Sequence, residues 1–298
     1  MPSSFTQLTP HLWAMHCRSM HYNTGAFISA GRAVLIDPGL FADEFDAIRQ
    51  LLKDQRAEPG LIILSHIHWD HITGPEQFPG VKILAHKRYL DFRAQYADET
   101  VWALDDWEKR VGIQRARAFV IPQPDETVDE AKTITVDELA LRLENVPGHA
   151  ADQLAVYHAE SGALWASDIL SDSEIPFVSD NLAAYQRTLA KLSEWDIRVL
   201  VPGHGSWTND PADIRARFEH DQAYLRELGE RVATAVKAGQ TVEETVAVCA
   251  DMPFRLREQS QFDHRLNVES VYLEMGGQAD VKKVGWNKDW RNAEKQWE

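Results

Sequence analysis

Residues 66–71 read His-Ile-His-Trp-Asp-His and directly follow the apolar run Leu61–Leu64. Four side chains that can bind a metal ion therefore fall within six residues, at the end of a predicted strand, where rigid scaffolds often display reactive groups. Alternate residues of an extended segment point the same way, so His66 and His68 can bind one ion while Asp70 and the adjacent histidine face a second. Imidazole and carboxylate ligands without a thiolate suit zinc, and also iron or manganese.

Three further residues of the same ligand types follow, each at the end of an apolar segment. His149 lies in Val-Pro-Gly-His, Asp168 in Ala-Ser-Asp, and His204 in Val-Pro-Gly-His-Gly. A glycine before a ligand lets the backbone turn sharply and approach the site closely. One ion needs about three protein ligands and an open position for water. The sequence therefore supplies enough ligands for two ions.

Short apolar runs bounded by Gly, Pro or polar residues predict buried strands, and longer runs with helical spacing predict helices. In the first half we expect strands at Ala33–Ile36, Leu61–Leu64 and Val81–Ala85, and helices at Phe41–Lys53 and Lys87–Ala97. In the second half we expect strands at Thr133–Val136, Leu139–Val146, Leu154–His158, Ala163–Ala166 and Val199–Val201, and a helix at Leu182–Trp195. This order predicts a layered α/β sandwich rather than a doubly wound sheet.

The chain of 298 residues is predicted to form a catalytic domain, residues 1–208, and a helical C-terminal extension, residues 209–298, packed on the same domain. Expected helices of the extension are Ile214–Lys237, Val242–Ala250 and about Gln261–Met275, broken at Gly239 and Pro253. The tail with Trp286, Trp290 and Trp297 is expected to dock on the protein or to serve as a homodimer contact.

An acidic, aromatic-containing insertion at about residues 98–131 is expected to wall the substrate pocket together with the C-terminal helices. Its Trp102, Trp107 and Phe119 suit an apolar part of a substrate, and they equally suit the hydrophobic core. Trp69, between two predicted ligands, is expected to pack under the metal site.

The formal net charge of −15 argues against a nucleic-acid partner, because such binding relies on Lys and Arg side chains that neutralise phosphates. The sequence contains two cysteines, Cys17 and Cys249, which we expect to be buried thiols. The N-terminal residues show no signal-peptide pattern, and no apolar run reaches transmembrane length. We therefore expect a cytoplasmic protein with a small-molecule substrate and no membrane partner.

The seven ligand-type residues, in their order, resemble the full metal-binding pattern of the metallo-β-lactamase superfamily, over about residues 10–207. The resemblance implies a four-layer αββα sandwich that holds two divalent metal ions, with zinc expected ahead of iron or manganese. It implies one ion on His66, His68 and His149, another on Asp70, His71 and His204, and Asp168 as the bridge.

The same resemblance implies roles around the ions. A metal-bridging hydroxide is the expected nucleophile, and Asp70 is the expected catalytic residue that orients it or shuttles its proton. Asp37, in Val34–Gly39, is expected to lie buried beside residues 66–71, which we call the metal loop, and to contact one of the ligands. His21 or Tyr22 is expected to border the substrate. The remaining histidines are expected to be structural or at the surface: His11, His16, His86, His158, His220 and His264.

The substrate class follows from departures within that family. An aspartate at the position of Asp168 is typical of its thioesterase-like and lactonase-like members and disfavours a β-lactam. Acyl-homoserine lactonases commonly have Tyr where this chain has Ser171, and no arrangement of Arg255, Arg257 and Arg265 matches a glutathione site. We expect hydrolysis of a carboxylic ester, thioester or lactone. The alternatives are a metal-site sensor with vestigial hydrolysis and, further off, a phosphodiesterase or nuclease.

Overall fold

A computed structural model describes residues 4–286 and 288. These residues divide into two compact units. The first unit comprises the chain up to Asn145, Asp152–Ser167 and Asp196–Thr208. The second unit comprises Val146–Ala151, Asp168–Trp195 and the chain from Asn209 onward. The predicted boundary after residue 208 coincides with the last of these divisions, but two earlier segments also belong to the second unit.

The first unit contains a seven-stranded sheet whose strands follow one another in sequence order. Its strands are β1 (Thr6–Gln7), β2 (Leu12–His16), β3 (Asn23–Ser29), β4 (Arg32–Ile36), β5 (Glu58–Ile63), β6 (Lys82–His86) and β7 (Glu126–Val128). The pairs from β1 to β4 are antiparallel, and those from β4 to β7 are parallel. The connections between the parallel strands contain α1 (Ala42–Asp54), α2 (Arg88–Gln95), α3 (Ala97–Val111) and a short 3₁₀ helix (Gly74–Gln77).

A second sheet of the same unit has five strands in the order β12, β11, β10, β9, β8. They are β8 (Ala131–Val136), β9 (Leu139–Asn145), β10 (Leu154–His158), β11 (Ala163–Ser167) and β12 (Val199–Pro202). Only β11 and β12 run parallel. The strands predicted in this half of the sequence are thereby confirmed, with small differences at their ends.

Side-chain alternation along the strands builds two cores. In β4, Val34 and Ile36 join a cluster that also includes residues of the second sheet, whereas Ala33 and Leu35 join a cluster with residues of α1 and α3. Successive strand residues point to opposite faces, so a strand buried on both faces is apolar throughout. The first sheet is thus covered by the second sheet on one face and by helices on the other. The predicted layered α/β sandwich is confirmed.

Strands β2 and β3 do not appear among the sequence predictions. The centre of β3 holds Gly25, and a Cβ atom there would lie 2.3 Å from the ring of Trp165 in β11. The indole of Trp165 is completely buried and occupies the space that a side chain at position 25 would need. A glycine and polar neighbours weaken the strand signal of this segment.

Helix α1 begins at a buried carboxylate. Glu44 has no solvent exposure, and it accepts hydrogen bonds from the backbone N–H groups of Arg18 (3.1 Å), Leu40 (2.8 Å) and Phe41 (3.1 Å). A carboxylate in the first turn satisfies donors that a helix N-terminus leaves unpaired. Glu44 therefore fixes the chain that enters α1 directly after β4.

The second unit is helical, with α4 (Leu182–Leu192), α5 (Pro211–Lys237), α6 (Val242–Cys249) and α7 (Gln261–Glu274). The three C-terminal helices lie close to the ranges predicted for them, and breaks occur at the predicted Gly239 and Pro253. Of the tryptophan-rich tail, Trp286 donates from Nε1 to Asn267 Oδ1 at 2.8 Å. Trp290 and Trp297 lie outside the described residues. Among the described helices, none is both long and apolar enough to cross a membrane.

The predicted insertion at residues 98–131 contains most of α3, the strand β7 and the first residue of β8. Strand β7 pairs with β6, so this part extends the first sheet. Trp107 and Phe119 belong to the core between that sheet and its helices, while Trp102 is half-buried. Trp69 packs on Trp107, with ring centroids 4.9 Å apart. Of the two readings left open for Trp107 and Phe119, the core is confirmed.

Candidate metal centre

The ligand-rich segment is held at the end of β5 by its backbone. The Ser65 N–H donates to Oδ1 of Asp37 at 2.8 Å, and the Ser65 carbonyl accepts from the Leu154 N–H at 2.8 Å. These bonds tie the start of the segment both to the residue after β4 and to the first residue of β10. Residues 66–71 therefore leave the sheet from a fixed point.

His66 and His68 turn their rings toward each other. Nε2 of His66 lies 2.9 Å from Nδ1 of His68. Nδ1 of His66 faces the hydroxyls of Ser65 (3.1 Å) and Ser167 (3.4 Å). Because the serine hydroxyls engage Nδ1, the Nε2 atom of His66 is the one directed toward His68. The pair can offer one ring nitrogen each to a single ion.

Asp70, His71 and His204 form a compact buried trio. Oδ2 of Asp70 lies 3.4 Å from Nε2 of His71 and 3.1 Å from Nε2 of His204. The outer nitrogen of each ring has an acceptor: Nδ1 of His71 lies 2.9 Å from Oδ2 of Asp37, and Nδ1 of His204 lies 2.8 Å from the carbonyl oxygen of Met20. An outer acceptor places the proton on Nδ1 and leaves the lone pair of Nε2 for a metal.

The two groups of the first unit adjoin, because the ring centroids of His66 and His71 are 4.1 Å apart. In the second unit, Nε2 of His149 lies 3.5 Å from Oδ2 of Asp168. The seven predicted ligands thus comprise a trio and a pair in the first unit and a pair in the second. In the trio and in both pairs, each histidine directs a ring nitrogen toward a neighbouring candidate ligand. Ring nitrogens of this kind are ligands that zinc commonly binds.

Asp37 has the environment of a residue that orients a ligand. Its side chain is 1% exposed, and its two carboxylate oxygens bind the Ser65 N–H and the ring of His71. The residue has a φ of +45°, in the left-handed region that aspartate tolerates better than most residues. This conformation turns the chain between β4 and α1 and points the carboxylate at the metal loop.

Gly148 precedes His149, and the structure leaves no room for a side chain at position 148. Its φ is +135°, and a Cβ atom there would lie 2.3 Å from both Cα and Cβ of Tyr185 in α4. The hydroxyl of Ser179 donates to the carbonyl oxygen of His149. Close contact with α4 on one side and this bond on the other set the position of His149 within the second unit.

The two residues predicted to border the substrate differ in exposure. Tyr22 is completely buried, and its hydroxyl donates to the carbonyl oxygen of Asp37 at 2.7 Å. Its ring contacts His71 and His204 edge-on, so it supports the trio from inside the protein. His21 is exposed, and its backbone carbonyl accepts from the Gly205 N–H at 2.8 Å. Substrate contact by either side chain stays a prediction.

The remaining histidines have partners within the fold. His264 is buried between the Tyr224 hydroxyl (2.9 Å) and the Cys249 carbonyl (3.0 Å), and burial lowers its pKa. His16 stacks on Trp207 with ring centroids 3.9 Å apart. The others contact backbone or side-chain groups: His11 with Ile28, His86 with Asp129, His158 with Ser161, and His220 with Asp221. None of these six histidines belongs to the trio or to the two pairs of candidate ligands described above.

Sequence reasoning missed the side chains that hold the backbone after Asp168. Arg217 and Asp221 in α5 both bind Leu170. Charged residues at helical spacing usually indicate a solvent-exposed helix face. Nothing in the sequence near Arg217 and Asp221 therefore indicates that these two side chains are buried. Ser171 keeps its hydroxyl within its own turn, where it lies 3.1 Å from that of Ser173.

The sequence profile of the metallo-beta-lactamase superfamily matches residues 21–204, a span that contains every ligand-type residue described above. The chain belongs to the metallo-β-lactamase superfamily. Members of this superfamily are hydrolases that typically bind divalent metals, and the clusters of histidine and aspartate have the residue types and spacing that could hold a metal ion.

Individual relatives of this metallo-β-lactamase superfamily member are distant. A beta-lactamase-like protein 2 homolog from Caenorhabditis elegans is 23% identical over 239 residues, which cover 79% of this chain and 73% of the relative. Acyl-coenzyme A thioesterase MBLAC2 from Gallus gallus is 24% identical over 156 residues, which cover 49% of this chain and 56% of the relative. The sec-alkylsulfatase Pisa1 from Pseudomonas sp. has a TM-score of 0.71 at 17% identity, covering 93% of this chain and 51% of that structure. These likenesses confirm the expected fold class.

Proposed function

We propose that this protein is a two-metal hydrolase that cleaves a carboxylic thioester, ester or lactone, with acyl thioesters as the first class to test. The observation that carries the proposal is the trio: Oδ2 of Asp70 faces Nε2 of both His71 and His204, and each ring is held by an acceptor on its outer nitrogen. Ligands fixed in this way form a metal site without rearrangement.

The ligand assignment follows the trio and the two pairs. The trio would hold one ion, and His66 and His68 would contribute to holding another. His149 and Asp168, which belong to the second unit, are the further ligands that the family resemblance implies. When bound by these residues, divalent ions would lower the pKa of a water and would polarise the carbonyl that is attacked. The donor set fits such ions, because it combines neutral imidazole with carboxylate.

The protein's own residues have distinct tasks in the reaction. Asp70 is 7% exposed, so its carboxylate can bind a metal and also orient an attacking water or accept its proton. Asp37 and the carbonyl oxygen of Met20 keep the rings of His71 and His204 in place while charge develops. Burial of these groups makes their electrostatic effect larger than it is in water.

Two observations favour a thioester with an apolar acyl part. Among the relatives are thioesterases that act on acyl-coenzyme A. In the second unit, the half-buried ring of Phe177 lies 6.1 Å from the ring of His149 and 4.8 Å from that of Trp286, between ring centroids. Aromatic side chains beside a metal ligand give an acyl chain an apolar surface.

The test uses protein that is stripped of metal and reloaded with zinc or manganese. Hydrolysis of acyl-coenzyme A thioesters, lactones and aryl esters is measured before stripping, after stripping and after reloading. We expect activity to vanish and return, and Asp70→Asn to lose at least about a hundredfold in kcat. The exposed Asp46→Asn is the control and should match the wild type. Metal binding without turnover of any substrate would instead support a sensor.

A small-molecule substrate and a homodimer remain predictions for this protein. Light scattering coupled to size-exclusion chromatography distinguishes a dimer from a monomer of 33.9 kDa. The same preparation, assayed with and without substrate, shows whether the ligand changes the association state.

A further inference from the structure

Two oppositely charged side chains on α5 bind the same residue, Leu170, which lies two positions after Asp168. Nη1 of Arg217 donates to the Leu170 carbonyl oxygen at 3.3 Å, and the carboxylate of Asp221 accepts a hydrogen bond from the Leu170 N–H. Both residues are only 2% exposed. Residues 217 and 221 lie one helical turn apart and therefore share a face of the helix. We call this pair the α5 clamp.

Both the clamp and its target are energetically costly for the fold. Leu170 has a φ of +60°, a left-handed conformation that is unfavourable for a residue with a branched side chain. Burial of two ionic side chains also costs desolvation energy, which hydrogen bonds only partly offset. Unfavourable conformations that the surrounding structure enforces cluster at functional sites. A role in the metal centre accounts for both costs.

Arg217 is itself fixed from its other side. Its guanidinium binds Oδ2 of Asp213 at 2.9 Å and lies 3.5 Å from Oδ2 of Asp172. A guanidinium held by carboxylates presents its remaining N–H groups in a rigid plane. The bond to the Leu170 carbonyl oxygen thus comes from a donor that cannot easily move.

The segment around Leu170 has two further anchors. The buried hydroxyl of Tyr185 donates to the carbonyl oxygen of Asp168 at 3.4 Å. Nη1 of Arg255 donates to the carbonyl oxygen of Ser171 at 2.7 Å. Side chains from α4, from α5 and from the turn between α6 and α7 therefore hold four backbone groups within residues 168–171, and the predicted bridging ligand is at the start of this segment.

We propose that Arg217 and Asp221 are positioning residues for the metal centre: by holding Leu170 in its left-handed conformation, they set the direction of the Asp168 carboxylate. The inference rests on the proposed function in one respect, that Asp168 is a metal ligand. In the second unit, this carboxylate already points to Nε2 of His149 at 3.5 Å. Loss of the clamp lets the turn relax and moves the carboxylate away from this position.

The test compares matched variants by their zinc affinity and stoichiometry. Arg217→Met keeps the length of the side chain without its donors, and Arg215→Met is the control at an exposed position of the same helix. Asp221→Leu removes the acceptor for the Leu170 N–H, whereas Asp221→Asn keeps an oxygen there. We expect Arg217→Met and Asp221→Leu to weaken binding of one of two zinc ions about 10- to 100-fold. Arg215→Met and Asp221→Asn should bind zinc nearly as the wild type does.

Readouts other than activity separate positioning from general stability. The absorption spectrum of the cobalt-substituted protein reports ligand geometry, and we expect it to change in Arg217→Met and Asp221→Leu but not in the controls. Circular dichroism at the same temperature confirms that each variant is folded. If a variant at position 217 or 221 does not fold, Arg255→Met removes one anchor from a half-buried position and should change the spectrum in the same direction.

The outcomes distinguish this inference from the proposed function. Wild-type zinc affinity and an unchanged cobalt spectrum in folded Arg217→Met and Asp221→Leu would overturn the clamp while leaving the hydrolase in place. A wild-type protein that binds two zinc ions but hydrolyses no substrate would overturn the hydrolase, and the clamp would be judged by its zinc affinities. A wild-type protein that binds no zinc at all would overturn both.

Discussion

Oδ2 of Asp37 lies 2.9 Å from Nδ1 of His71, and neither side chain is more than 1% exposed. The other carboxylate oxygen of Asp37 accepts the Ser65 N–H at 2.8 Å. The same carboxylate therefore anchors the start of the metal loop and one of its ligands. The orientation of the His71 ring therefore depends on the presence of an oxygen at both ends of the Asp37 carboxylate.

Asp37→Asn is expected to lower metal affinity about 10- to 100-fold. The Ser65 N–H retains the oxygen of the new amide, so the amide nitrogen faces Nδ1 of His71 and donates to it. The ring proton must then move to Nε2, the atom that faces Asp70, and this nitrogen no longer offers a lone pair. Competition titration with a zinc indicator measures the effect. Asp137→Asn is the control, since Asp137 is exposed and also has a left-handed φ, +52°; an equal loss there would contradict the explanation.

Gly148→Ala is expected to destabilise the second unit by about 3 kcal/mol or more, because overpacking against Tyr185 adds to an unfavourable φ. Gly112→Ala supplies the comparison: its φ is +76°, but nothing lies within 4 Å of the added methyl group. That variant should lose only about 1 kcal/mol. Chemical denaturation of metal-free protein gives both values, and similar losses in the two variants would show that contact with Tyr185 is unimportant.

Glu44→Ala is expected to lower the free energy of unfolding by about 3 kcal/mol, because the buried N–H groups of Leu40 and Phe41 and the part-buried N–H of Arg18 lose their acceptor. Asp46→Ala in the next turn removes a carboxylate whose side chain is 76% exposed, and its loss should cost less than about 1 kcal/mol. Urea titration measures both. Equal stabilities of the two variants would mean that the N-terminus of α1 does not need this acceptor.

Both cysteines are expected to resist thiol reagents in the folded protein near neutral pH. Burial raises the pKa of Cys17 well above its usual range, with a further contribution from Glu44, and burial raises the pKa of Cys249 to about 11. The thiolate is the reactive form, so a higher pKa means slower reaction, and the rate for Cys249 should increase about tenfold per pH unit up to that pKa. A chromogenic disulfide assay should count both thiols only in denaturant. Rapid reaction of the native protein at pH 7 would contradict the expectation.

The candidate ligands could be recognised in the sequence because they follow apolar runs, and such runs are short enough to recognise as buried strands. Three of the four parallel strands of the first sheet, β4 to β6, could be predicted for the same reason, since a strand such as Arg32–Ile36 is apolar on both faces over most of its length. Asn23–Ser29 escaped prediction because Gly25 is required by a tryptophan 140 positions later. No local pattern contains that requirement.

Other features depended on tertiary contacts that the sequence leaves ambiguous. Trp107 and Phe119 suit a pocket or a core equally well by composition, and only the packing of the sheet against its helices decides for the core. Arg217 and Asp221 resemble a solvated helix face until the position of Leu170 is known. The candidate metal ligands are therefore easier to recognise in the sequence than the residues that hold the backbone around them.

The bond between Nδ1 of His204 and the carbonyl oxygen of Met20 joins residues 184 positions apart, and a β-bridge joins Tyr22 to His204 beside it. Contacts of such long range form late, because a large loop must close before they stabilise anything. More than a hundred residues separate His71 from His204, and the ribosome must synthesise all of them before the trio can be complete. During that interval the chain lacks His204, so the trio cannot form until the last segment of the first unit has been synthesised.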